Sequence, residues 1–164
     1  MKYWISLGVA VLLPVALVRA DPPELQEGLW GQHTQTVNNP GNKKTEATEK
    51  KCSSHDLDKK GYAVWKATKG CSVTSESTLA GVYTQVTSCN VSVADAGRFT
   101  SKVTMTIRGD TSVHAESQTT YTPAIDGVTD SSSIIDAKYL GSCPAGMKPG
   151  DMIGEDGKIV HLGG

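Results

Sequence analysis

The sequence is poor in aromatic rings, in net charge and in the short signatures of catalytic and nucleotide-binding proteins. One phenylalanine, Phe99, stands beside three tryptophans and five tyrosines. That excludes a core built on stacked rings and leaves aliphatic side chains and cross-links to hold the fold. The 16 basic and 17 acidic residues nearly cancel. No basic stripe exists to displace counterions, so nucleic acid is excluded as a partner. Gly-x-Gly-x-x-Gly, P-loop and Gly-x-Ser-x-Gly patterns are missing. Asp151, Glu155 and Asp156 lack the order of a calcium loop. No Cys-x-x-Cys occurs, which removes a thioredoxin-like redox motif and a zinc knuckle.

Long hydrophobic runs are also scarce. The exception is Ile5–Val18, preceded by Lys2 and followed by Val18-Arg19-Ala20. A basic start, a short apolar stretch and small residues at the third-last and last positions read as a signal peptide cut after Ala20, too short for a convincing membrane span. Without Lys2 and Arg19 the basic residues fall from 16 to 14 against 17 acidic ones, a mild excess of three negative charges. Residues 21–164 form a single domain, with no stable membrane span expected after cleavage.

What is present is alternation. Phe99, Val103, Met105 and Ile107 fall on one side of residues 98–107, opposite Arg98, Thr100, Lys102, Thr104 and Thr106. This is the period of a half-buried strand. Residues 111–121 alternate again, Val113, Ala115 and Tyr121 against His114, Glu116, Gln118 and Thr120. A three-residue loop of Arg108, Gly109 and Asp110 pairs Met105 with Val113 and Lys102 with Glu116, and joins both apolar rows on one face. The Arg108-Gly109-Asp110 adhesion tripeptide is thereby read as a hairpin turn.

Four cysteines, an even number, imply two disulfides in an exported chain. A hairpin with Leu79-Ala80-Gly81 as its loop sets Cys71 opposite Cys89, which favours that pair and leaves Cys52 with Cys143. Strands are expected at about 28–37, 71–78, 82–91, 98–107, 111–121 and 132–140, with a small hairpin about Asp156-Gly157. Residues 38–51 read as a loop or as a wide turn followed by part of a strand, and Ser131–Ser133 as part of a loop. After Cys52 comes one short helix, capped by Ser53 with Asp56, with Leu57, Gly61, Val64 and Trp65 on one side. The fold class is all-β: a curved antiparallel meander, barrel or half-barrel, with one short helix and a Gly/Pro-rich C-terminal tail.

Gly28-Leu29-Trp30, Cys52 opening a helical segment, the Cys71–Cys89 hairpin, and Tyr139-Leu140-Gly141-Ser142-Cys143-Pro144 followed by Met147-Lys148-Pro149-Gly150-Asp151 together resemble a family of small exported bacterial proteins catalogued as domain of unknown function 3617. Ser53-Ser54-His55 departs from the Leu-Thr-Pro that opens the helix there. The resemblance covers most of residues 21–164. It implies a periplasmic, Gram-negative setting and two disulfides, and carries no activity and no catalytic residue.

No catalytic residue, metal or cofactor is expected. His33, His55, His114 and His161 are scattered, and His114 with Glu116 reads as a solvated face. The functional expectation is a non-enzymatic binding or accessory protein for a small apolar ligand or a periplasmic protein segment, lined by Phe99, Val103, Met105, Val113 and Tyr121. The bland alternative packs those residues against Leu57, Val64 and Trp65. A second reading uses a free sheet edge, the strand from Gly28, to pair with a partner. A third is a small hydrolase, which needs a histidine facing a serine and an acid.

Overall fold

The computed structural model describes residues 22–93, 97–154 and 156–161. The expected signal peptide lies outside them. Among the described residues, no helix is long and apolar enough to cross a membrane.

Seven long strands and two short ones form one antiparallel sheet. They are β1 (Gly28–Asn39), β2 (Lys43–Ser53), β3 (Cys71–Leu79), β4 (Val82–Val93), β5 (Gly97–Arg108), β6 (Ser112–Ile125), β7 (Val128–Gly141), β8 (Met152–Ile153) and β9 (Ile159–Val160), with one helix, α1 (His55–Ala67), between β2 and β3. The order is β3-β4-β5-β6-β7-β1-β2-β8-β9. β3 to β7 are the expected meander, and the β1–β2 hairpin adds to it through β1 against β7. The sheet is open, with β3 and β9 at its ends.

Its curvature follows from the connection. Six strand spacings of about 4.8 Å put β2 and β3 about 29 Å apart on a flat sheet, and the two strands are also offset lengthwise by roughly ten residues, or about 33 Å. α1 covers about 20 Å, and the few residues flanking it add only about 3.5 Å each. Only a sheet that coils can be joined this way, and the helix then runs as a chord on the concave side. Tyr62 confirms that side: its hydroxyl lies 3.5 Å from Gln85 Nε2.

Several local expectations are corrected. Residues 43–53 are a full strand, although Lys43–Lys51 has no apolar period. The Ser131–Ser133 run lies within β7. The β5–β6 pairing is Arg108 with Ser112, Ile107 with Val113 and Met105 with Ala115, so the loop is Gly109-Asp110-Thr111 and the register is two residues from the expected one. Lys102 therefore faces Gln118, and Glu116 faces Thr104; the expected Lys102–Glu116 pair is not formed. A two-residue shift keeps parity, so Met105 and Val113 still share a face. The β3–β4 loop is Ala80-Gly81, both at positive φ (50° and 76°), and a bulge at Thr74 restores Cys71 opposite Cys89. Ser54, not Ser53, caps α1: its Oγ accepts from Leu57 N, while Ser53 Oγ donates to Asp58 at 2.6 Å.

Both expected disulfides are present, Cys52–Cys143 and Cys71–Cys89. Two such bonds mark an oxidising, exported environment. Around Cys52, which is fully buried, the chain closes on itself: Cys52 N donates to Asp151 O, and Gly150 N to Cys52 O. Trp30 packs edge-on to Tyr139, and its Nε1 donates to Gln26 O. Gln26 in turn holds the β5–β6 turn through Asp110.

Candidate functional site

Because directly paired residues share a face, the registers lay out the concave side as cross-strand rows. From β4 to β1 the first row is Tyr83, Ile107, Val113, Ala137 and Gln32, and the second Gln85, Met105, Ala115, Ile135 and Thr34. The third is Thr87, Val103, Ser117, Ser133 and Thr36, and the fourth Cys89, Ser101, Thr119, Ser131 and Asn38. Val91, Phe99 and Tyr121 form the last. The face thus passes from apolar, through a hydroxyl-bearing band, to an aromatic end.

All five residues expected to line a site are on this face, and all are part-buried. They do not form one apolar patch. Phe99 and Tyr121 oppose each other at one end, Val113 sits at the other, and Ser117, Ser101 and Thr119 lie between. The alternative in which the helix covers them is corrected for Val64, which is 71% exposed, while the Trp65 side chain lies outside what the structure describes. Leu57 instead lies beside Gly150, 4.0 Å from where a Cβ on that glycine would stand. A cavity of about 380 Å³ lies over β6 and β7, bordered by Thr119, Tyr121, Thr129 and Ser131 of this face and by Gln118, Thr120, Asp130 and Ser132. Of the five expected residues, Tyr121 alone borders it.

The most buried hydrogen-bonded polar cluster lies on β3 and β4, outside the residues expected to form a site. Tyr83 is 1% exposed and Gln85 4%. Gln85 Nε2 donates to Glu76 Oε1 and to the Tyr83 oxygen, both at 2.9 Å, and the Tyr83 hydroxyl donates to Glu76 at 3.3 Å. Burial, then the Glu76 charge, pushes the Tyr83 phenol up to about 12. The alternation Tyr83-Gln85-Thr87 was the available signal, hidden because two of its three inward residues are polar.

Each histidine is engaged away from serine. His33 Nδ1 meets Thr48 Oγ1, and His55 Nε2 meets the Leu25 carbonyl. His161 Nδ1 lies 2.9 Å from Asp151, whose carboxyl is held low chiefly by the Lys148 backbone N–H, with His161 adding to the effect. His114 is on the convex face, Nδ1 2.8 Å from Asp136 and Nε2 3.1 Å from Glu116, and these two carboxylates raise its pKa. Among the described residues no three His, Cys, Asp or Glu side chains are placed to hold a metal ion.

The expected free edge at the strand from Gly28 is overturned: β1 is paired on both sides, by β7 and β2. Among the described residues the open edges are β3, the two-residue β9 and, beyond the two residues paired with β8, β2. No family model, no curated protein and no solved structure matches this chain.

Proposed function

We propose that this chain is a periplasmic, non-catalytic binding or accessory module whose concave face takes its ligand. The observation that carries this reading is the part of the concave face that α1 leaves uncovered: Phe99, Val103, Met105, Val113 and Tyr121 are only part-buried, and Val64 on the helix faces solvent. The engagement of every histidine with a partner other than serine favours binding over hydrolysis. The resemblance to an exported bacterial family supports the periplasm. The test is native mass spectrometry of the exported protein, together with titration of a fluorescent apolar probe. A bound mass, or probe fluorescence reduced by Phe99→Ser, is expected; a bare protein that also leaves the probe dark refutes the reading.

One further observation favours a partner strand. The nine residues of β3 carry a single charge, Glu76, whereas Lys43–Lys51 carries six. Charged edges resist strand addition and uncharged ones invite it. Introducing Ser75→Lys with Ser77→Lys abolishes partner capture from periplasmic extract if β3 is the edge used, and leaves it unchanged if it is not.

A further inference from the structure

The middle of the concave face is uncharged and hydroxyl-rich. Ser101, Ser117, Thr119, Ser131, Ser133 and Thr36 all lie there, in two adjacent rows, and all are part-buried. Thr119 Oγ1 donates to Ser101 Oγ at 3.0 Å, and the Thr36 and Ser133 hydroxyls share a bond of 2.9 Å. A hydroxyl engaged once still has a donor or an acceptor site to offer. At the end of this band the Phe99 and Tyr121 rings oppose each other across β5 and β6, with Tyr121 Oη 3.2 Å from Ser131 Oγ. A cavity of about 380 Å³ over β6 and β7 is of ligand-pocket size, bordered by Thr119, Tyr121, Thr129 and Ser131 and equally by Gln118, Thr120, Asp130 and Ser132 of the opposite parity.

We propose that this hydroxyl floor and its aromatic end bind a neutral oligosaccharide. The inference rests on the concave face being the ligand site, as proposed above, and names the ligand's chemistry. A sugar ring has hydroxyls around its rim and C–H groups on its faces, which match a floor of donors and acceptors ending in rings. Other ligand classes match less well. An acyl chain laid over this band strips water from six hydroxyls, and although five of them keep one hydrogen bond within the protein, their remaining donor and acceptor sites go unmet. From β4 to β1 these two rows offer an ionic ligand no countercharge; their one charged side chain is Lys43, exposed at the far end of the fourth row in β2. An extended peptide needs free backbone groups, and β4 to β7 and β1 are each paired on both sides.

The test is a titration of the full, disulfide-bonded exported protein with soluble glucose oligomers and N-acetylglucosamine oligomers, followed by amide chemical shifts. Saturable shifts centred on Ser101, Thr119 and Ser131 are expected. Thr119→Val with Ser131→Ala weakens binding about tenfold or more, the loss of one or two hydrogen bonds. Thr104→Val, on the convex face, leaves it unchanged, and near-ultraviolet circular dichroism reports whether each variant is folded. Absence of shifts with both series overturns the inference, as does undiminished affinity in the Thr119→Val, Ser131→Ala variant. If an apolar probe then binds that variant as well as the parent, the concave-face proposal survives and only the saccharide is lost. If neither probe nor sugar binds, both fall.

Discussion

Removing the two disulfides separately is expected to cost unequal amounts. Cys52–Cys143 spans 91 residues of chain and Cys71–Cys89 spans 18. By the loop-entropy relation these correspond to about 4.6 and about 3.2 kcal/mol, a difference of about 1.4 kcal/mol. Local structure widens the gap. Cys52 is fully buried, and its backbone holds Gly150 and Asp151, so Cys52→Ala with Cys143→Ala also leaves a void and loosens the β8–β9 hairpin. Cys71–Cys89 joins the edge hairpin β3–β4, which eight backbone pairings already align. At the lower end of a total stability of about 5–15 kcal/mol the first loss leaves a substantial unfolded population and the second a small one; at the upper end the two differ in urea midpoint alone. Urea unfolding followed by far-ultraviolet circular dichroism measures both double variants against the parent, and the slope reports the longer unconstrained chain of the unfolded state. If the Cys71–Cys89 variant is the less stable one, or the two midpoints coincide, chain constraint is not what these bonds supply.

Tyr83→Phe removes a hydroxyl bonded to Gln85 and Glu76 and is expected to cost about 1–2 kcal/mol in the same assay; a neutral result means that Tyr62 or water replaces it. His114 is held above its ordinary value by Asp136 and Glu116, so its contribution is complete below pH 6.5 and is lost as pH rises through the raised value. The urea midpoint of the parent, relative to His114→Asn, therefore falls across that window, and a relative rise contradicts the geometry. At Gly28, φ is 142° and a Cβ would strike the Gly141 carbonyl oxygen, so Gly28→Ala costs more than about 1 kcal/mol. Gly61 in α1 has open space around it, and Gly61→Ala stabilises by about 0.5–1 kcal/mol; thermal melts of the pair should move in opposite directions.

Those opposed outcomes reflect what a linear pattern can and cannot carry. Parity is robust: Met105 and Val113 share a face in either register, because a shift of two residues leaves every side chain on its own side of the sheet. Register itself is decided by the turn, where Gly109 at φ 63° lets Gly109-Asp110-Thr111 form the loop, and no alternation distinguishes that from a loop one residue earlier. β2 was harder still to read. Its inward positions Lys43, Thr45, Ala47 and Glu49 bury almost nothing at the sheet's end, so burial imposed no apolar period on them. The place of β1 inside the sheet depends on β7 returning beside it from some hundred residues along the chain, for example Thr34 against Ile135, a contact that sequence neighbours do not signal. The hydroxyl floor inherits all three difficulties. Ser101, Thr119 and Ser131 come from three strands and read individually as ordinary polar strand residues. They become a surface only when two registers are known, so the apolar alternation is legible in one strand at a time and the hydroxyl band between the apolar ends is not.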